Sequence, residues 1–380
     1  MRRVRTGLRR SPVVAIVGPR QCGKTTLARQ FVPASSANYF DLEDAVALER
    51  LAQPRTALES LRGLVVIDEV QRRPELFPAL LVLVDRDPSP ARFLILGSAS
   101  PGLLRQSSES LAGRIETLHM GGFCLTEVGV QALERHWLRG GFPRSFLGRS
   151  DSDSAAWRRD FVQTFLERDV PHLASVVPSS STTMLRFWKM LAHSHGGEWR
   201  ASEYASSLGL DEKTVRRYLD LLSDLYMVRQ LQPWHENLDK RQVKAPKIYL
   251  RYSGLLHQLL GVRTGHDLLS HPRCGASWEG YAIEQVLRAA GDESEAYFWR
   301  VHSGPELDLL IITGGRRIGV EAKRADAPRL ERSMRTAMED LRLEQLIVLY
   351  PGRVRYSLGE RISAVPLTEV ALPARLFRQR

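Results

Sequence analysis

Eight residues near the start of the chain, GPRQCGKT from Gly18 through Thr25, follow the spacing G-x-x-x-x-G-K-[ST]. An apolar run before them, PVVAIVG (Pro12–Gly18), reads as a buried strand, and KTTLARQFV (Lys24–Val32) after them reads as a helix. Strand, glycine loop and helix in that order are what a phosphate-cradling loop needs. Glycines let the backbone N–H groups of Pro19–Thr26 (Arg20, Gln21, Cys22, Gly23, Lys24 and Thr25 among them, proline itself lacking one) curl around phosphate oxygens. The Lys24 ammonium would face the β and γ phosphates, and the Thr25 hydroxyl would reach magnesium. The start of the helix adds partial positive charge.

A second apolar run, LVVIDE (Leu64–Glu69), ends in two carboxylates. Beside a phosphate loop, Asp68 would hold magnesium through water and Glu69 would orient an attacking water. Taken alone, the same two residues are an ordinary solvated strand end. Ser98, at the end of RFLILGSAS, is placed to touch the γ phosphate or that water. Arg114 in LAGR and Arg168 in LERDV are two candidates for an arginine finger reaching a neighbouring subunit. For either, a surface ion pair is the plainer reading.

A separate set of acidic residues lies near the other end. ELDLL puts Glu306 and Asp308 on one face of a strand, and GVEAK does the same for Glu321 and Lys323. Glu279 and Glu284 sit on a preceding helical run. Carboxylates holding Mg²⁺ beside a lysine that positions water would suit phosphodiester cleavage, with Glu284, Asp308, Glu321 and Lys323 as the candidate set. A salt-bridged surface hairpin is the alternative. Between the two sites, KRQVKAPKIYLR (Lys240–Arg251) carries five basic residues and no acidic one. Lys240, Arg241, Lys244 and Lys247 are expected to neutralise nucleic-acid phosphates, together with Lys213, Arg216 and Arg217 of the helical run before them. A purely structural winged-helix module that packs domains or binds protein is the alternative. His193 and His195 lack partners at ligand spacing and read as structural.

The elements that must position these groups follow from hydrophobic pattern. The first third alternates apolar strands with helices, which predicts a parallel sheet with ligands at the carboxyl ends of its strands. From about Glu127 to Val177 the pattern is helical. From Met184 to Gln232 come three helical segments, with a glycine turn before DEKTVRRYLDLL, as in a helix-turn-helix. RQLQPW and KAPKIYLR would be wing strands. From about Thr264 a second α/β unit begins, with a helix at Trp278–Ala290 and strands AYFWRVH, ELDLLII, RIGVEAK and QLIVLYP. DSDS (Asp151–Ser154) and PSSSTT (Pro178–Thr183) are the expected joints. The stretch beyond Gly352 offers no feature.

The 380 residues suit two to four domains, and 43% hydrophobic with 26% charged residues is globular composition. The longest charge-free apolar runs, such as LFPALLVLV, are about half of the ~20 residues of a membrane span, so no membrane association by spanning helices is expected. The apolar stretch behind the first five arginines is too short for a signal-peptide core. Three scattered cysteines, Cys22, Cys124 and Cys274, form neither a disulfide framework nor a zinc pattern. A cytoplasmic location is the expectation. A net charge of +11 favours an anionic partner, nucleic acid or anionic lipid. Only seven of the 54 basic residues are lysines, and five of those seven fall in the motifs and segment above.

GPRQCGKTT, LVVIDEVQ, LILGSAS, LAGR, GGFP (Gly140–Pro143), FLERDV, TVRRYLDLL, KAPKIYL with SGLL, GPELDLLI and GVEAK, in this order, resemble the prokaryotic AAA-type ATPases that carry a carboxyl-terminal domain of unknown function called DUF4143. The resemblance implies an α/β fold: a P-loop AAA-type parallel-sheet core (1–126), a helical lid (127–183), a winged helix-turn-helix (184–262) and a PD-(D/E)xK nuclease-like α/β domain (263–380). It also implies ATP and Mg²⁺ as cofactors and assembly into an oligomer, with a ring as one form. Tyr252 stands where the resemblance leads one to expect an aspartate; if that aspartate serves an interdomain contact, the contact would be loosened here. The spacing of Glu284, Asp308, Glu321 and Lys323 is similar to that of archaeal Holliday-junction resolvases, which brings branched DNA into view. The function expected is a Mg²⁺-dependent ATPase that binds DNA. A protein-binding switch and an ATP-regulated nuclease are the alternatives.

Overall fold

The computed structural model describes residues 1–86, 91–98, 111–170, 180–236, 242–291, 294–302, 304–372 and 376. The chain forms two compact units, residues 1–122 with 224–226, and residues 123–223 with 227–380.

The first unit is built on five parallel strands: β1 (Val13–Gly18), β2 (Tyr39–Asp41), β3 (Gly63–Asp68), β4 (Ala91–Ser98) and β5 (Ile115–His119). Their order across the sheet is β2-β3-β4-β1-β5. Every residue of β1 is buried, as expected of a central parallel strand covered on both faces. One face packs Val13, Ala15 and Val17 on Phe77, Leu80 and Phe93. The other packs Val14 and Ile16 on Val4, Ala28 and Leu94. Because all strands run the same way, the ends of β1, β3 and β4 lie along one edge. The register sets Gly18 beside Ser98 and Asp41 beside Asp68.

Early in the second unit come helices at Leu133–Arg139 and Asp151–Thr164. DSDS is the first turn of the latter helix, not a joint. Ser150 caps it by accepting from the Asp153 N–H, and Ser154 is buried with its hydroxyl 2.9 Å from that of Ser145. A π-helical turn, Phe165–Asp169, follows. Part of the other expected joint, residues 178–179, lies outside the described residues. Next come a helix Ser181–His193, a short strand β6 (Gly197–Glu198), helices Ala201–Leu208 and Glu212–Asp224, and strands β7 (Val228–Leu231) and β8 (Lys247–Leu250). These strands form a small sheet in the order β6-β8-β7.

A helix Cys274–Ala290 then leads into β9 (Glu295–Arg300), β10 (Glu306–Thr313), β11 (Arg316–Ala322), β12 (Gln345–Tyr350), β13 (Tyr356–Gly359) and β14 (Ile362–Pro366). The sheet order is β13-β14-β12-β11-β10-β9. The stretch beyond Gly352, blank in the sequence reading, therefore supplies two of its six strands. The open edge of β9 is covered by the chain between β7 and β8. Phe298 N–H donates to Gln232 O at 3.0 Å, and Phe298 O accepts from Trp234 N–H at 2.7 Å. Val243 N–H donates to Arg300 O at 3.1 Å.

GGFP and SGLL meet in space. A Cβ on Gly254 would stand 2.0 Å from the Arg139 carbonyl oxygen, and one on Gly140, whose φ is +75°, would stand 2.7 Å from Gly254 N. Only glycine permits that approach. Tyr252 beside it is 2% exposed, its ring 4.4 Å from that of Phe142, with Phe161 and Trp157 continuing the stack. Tyrosine here fills an aromatic core. Among the described residues, no helix is long and apolar enough to cross a membrane.

Candidate active site

The phosphate loop closes on itself. Gln21 (φ +61°) and Gly23 (φ +103°) take left-handed conformations that turn the chain into the helix Lys24–Ala28. A Cβ at Gly18 would lie 1.9 Å from the Met120 carbonyl oxygen, which fixes glycine there. Cys22 is 2% exposed with its sulfur 3.7 Å from the same oxygen. Lys24 is 5% exposed, and its ammonium donates to Gly18 O at 3.0 Å and Pro19 O at 2.8 Å. The amine thus lies across the hollow of its own loop, the position from which it can be drawn to an anion.

Asp68 is buried at the end of β3. Its carboxylate accepts from the Tyr39 hydroxyl at 3.0 Å and from the Glu69 N–H at 3.0 Å, with the Thr25 hydroxyl close by. Burial pushes its pKa up, while the Thr25 hydroxyl pulls it down. Glu69 sits at φ +55°, uncommon for a residue with a side chain. Its Oε2 accepts from Ser98 Oγ at 3.2 Å and from the Gln71 amide. β4 lies between β1 and β3, and that is how Ser98 reaches Glu69. The sequence-predicted groups Lys24, Thr25, Asp68, Glu69 and Ser98 therefore gather at one end of the sheet. Thr25 and Asp68 present hard oxygen donors close to one another, a set that suits Mg²⁺. Tyr39 escaped the sequence reading, because a lone tyrosine in a short strand carries no motif. Arg114 is a half-buried residue paired with Asp85, Nε to Oδ1 at 2.5 Å and Nη2 to Oδ2 at 3.1 Å. Arg168 is exposed on the π-helical turn.

In the second unit the structure brings Asp308, Glu321 and Lys323 together but not Glu284. Lys323 Nζ lies 3.4 Å from Glu321 and 3.4 Å from Glu331. Asp308 Oδ2 accepts from the Ala322 N–H at 3.0 Å. Glu284 instead pairs with Arg229 and, at 3.5 Å, with Arg251. Burial pushes its pKa up, but the two guanidiniums outweigh burial and hold it at about 2. The helical carboxylate that joins the cluster is Glu279, at 3.3 Å from Lys247. Burial and the neighbouring Asp308 push Glu279 up to about 7, against the pull of Lys247. Burial and Asp308 raise Glu321 well above the carboxylate range.

Lys247 corrects the reading of the basic segment. It is 2% exposed and enclosed by carboxylates, so it offers nothing to a nucleic-acid backbone. Every residue of β8 is buried, and a strand covered on both faces cannot present its lysine outward. Lys244 is exposed, as are Lys213, Arg216 and Arg217 on the helix Glu212–Asp224, whose other face buries Val215, Tyr218, Leu219 and Leu222. Lys240 and Arg241 lie outside the described residues. His195 is buried, its Nδ1 accepting from Leu250 N–H at 2.9 Å. Desolvation holds its pKa at about 3, so it is a neutral structural ring.

A parallel sheet whose strand ends gather a phosphate loop, Thr25 close to Asp68 and Ser98 on Glu69 defines a P-loop domain of the AAA type. An AAA domain matches residues 10–129, a domain of unknown function (DUF8612) matches 130–265, and a domain of unknown function (DUF4143) matches 274–370. The uncharacterized protein Rv2008c of Mycobacterium tuberculosis is 50% identical over 368 residues, which cover 97% of this chain and 83% of the relative. The uncharacterized protein Mb2031c of Mycobacterium bovis matches to the same extent. The chain belongs to this family of AAA-type P-loop proteins with a carboxyl-terminal DUF4143 domain. Among solved structures, the Walker-type ATPase PABY2304 of Pyrococcus abyssi is similar over 68% of this chain and 94% of its own, at 14% identity and a TM-score of 0.47.

Proposed function

We propose that the chain is a Mg²⁺-dependent ATPase whose turnover is coupled to DNA. The observation that carries the hydrolytic part is the Ser98–Glu69 hydrogen bond between the ends of adjacent parallel strands, with Asp68 buried beside it and close to Thr25 of the phosphate loop. ATP with Mg²⁺, when bound, supplies the phosphoryl group and neutralises its charge. Lys24 exchanges the carbonyls of Gly18 and Pro19 for phosphate oxygens. Thr25 and Asp68 hold the metal side. Glu69, oriented by Ser98, accepts a hydrogen bond from the attacking water and aligns it.

The DNA part is supported by the order helix, strand, two helices and two strands over residues 181–250, that of a winged helix, and by the exposed Lys213, Arg216 and Arg217 on its third helix. The chain works in this reading as a homo-oligomer, with Arg114 or Arg168 reaching a neighbour's site. The test is the ATPase rate with and without duplex, single-stranded and four-way-junction DNA. Glu69→Gln should lower turnover about a hundredfold or more while nucleotide still binds. Reversing charge at Lys213, Arg216 and Arg217 should abolish stimulation by DNA, and stimulation should fall steeply with salt. Basal turnover that no DNA form stimulates would refute the coupling and favour a protein-binding switch.

A further inference from the structure

The Lys247 ammonium has three N–H donors and meets three carboxylates: Glu306, Glu279 at 3.3 Å and Asp308 at 3.8 Å. The ring of Phe298 covers it, 5.6 Å from centroid to nitrogen. Tyr249, two residues along the same strand, donates to Glu279 Oε1 at 2.6 Å. Several carboxylate oxygens of this centre are engaged by protein donors. Lys247 and Tyr249 share Glu279 Oε1, and the Ala322 N–H holds Asp308 Oδ2. Lys323 holds Glu321 Oε2, and Arg300 lies 3.5 Å from Glu306 Oε2. Among the described residues, Glu321 Oε1 is a buried oxygen of this centre with no hydrogen-bond partner.

A Mg²⁺ ion asks for six oxygens in near-ideal octahedral geometry. Here the oxygens converge on a nitrogen instead. Among the described residues, no group of three or more His, Cys, Asp or Glu side chains is disposed around a metal position. We propose that Lys247 is the resident cation of the acidic centre: its ammonium takes the place of a divalent metal, and the centre latches the β7–β8 segment to the large sheet instead of cutting phosphodiesters. This inference does not depend on the ATPase reading.

The test titrates the full-length protein with Mn²⁺ alone, without nucleotide, following free Mn²⁺ by its electron paramagnetic resonance. The wild-type chain should show no Mn²⁺ site that Asp308→Asn removes. Lys247→Met should gain one, at least about a hundredfold tighter than any residual Mn²⁺ affinity of the wild-type centre, since a positive charge a few ångströms from a bound cation is worth that much at protein dielectric. The variant's melting temperature should then rise with Mn²⁺, and the wild type's should not. If Lys247→Met is unfolded without metal, Mn²⁺ should restore its fold in an Asp308-dependent way. A wild-type site sensitive to Asp308→Asn overturns the proposal. So does a Lys247→Met chain that neither gains Mn²⁺ affinity nor is refolded by the ion.

Discussion

Replacing Glu284 by glutamine keeps the shape of the side chain and removes its charge from between Arg229 and Arg251. Glu284 is 2% exposed, and the two guanidiniums hold its pKa at about 2 against an ordinary 4.5. A displacement of that size corresponds to roughly 3 kcal/mol of stability at neutral pH. Breaking a buried ion pair by removing one partner costs about 3–5 kcal/mol, which agrees. Because the folded-state value is lowered, this stability is fully present above about pH 4.5 and is lost as pH falls towards 2. Urea unfolding followed by tryptophan fluorescence isolates the effect, since all seven tryptophans lie in the second unit. Glu284→Gln should lose about 3 kcal/mol at pH 7, and its gap from wild type should narrow between pH 5 and pH 3. A loss below about 1 kcal/mol, or a gap unchanged over that pH interval, would refute the reasoning.

Tyr39→Phe removes the hydrogen bond that the tyrosine donates to Asp68. It should raise the Mg²⁺ needed for half-maximal ATPase by about 10- to 100-fold, the usual scale for such supporting partners. An unchanged Mg²⁺ titration would mean that Tyr39 does not orient Asp68. Gly254→Ala pushes a methyl group towards the Arg139 carbonyl, 2.0 Å away. It should cost about 1–3 kcal/mol in the same tryptophan-detected unfolding, and a variant as stable as wild type would show that the two backbones are not so close.

The phosphate loop and the Asp68–Glu69 strand end were legible because each is a local pattern. Fixed spacing, a strand before and a helix after determine where the groups go. Glu279 and Glu284 show where that stops. Five residues along a helix turn about 500°, so the two carboxylates point some 140° apart and only one can enter a given cluster. Pattern could not say which, because the helix buries an unbroken run from Gly280 to Val286 and has no polar face to orient it. Lys247 failed for a related reason. A basic stretch reads as surface until the strand that contains it is seen to be covered on both sides. The role of Tyr39 depends on β2 lying next to β3, a pairing of residues far apart in the chain.

The chain between β7 and β8 covers the outer edge of β9, and β8 itself supplies Lys247. A fragment that starts after β8 would lose both at once. Its large sheet would offer unpaired N–H and C=O groups along β9, a template for edge-to-edge association. Its carboxylates would face one another without their principal counter-charge. Such a fragment should come out of expression insoluble, or soluble only at acidic pH or with divalent ions, whereas one that begins before Ser181 should not.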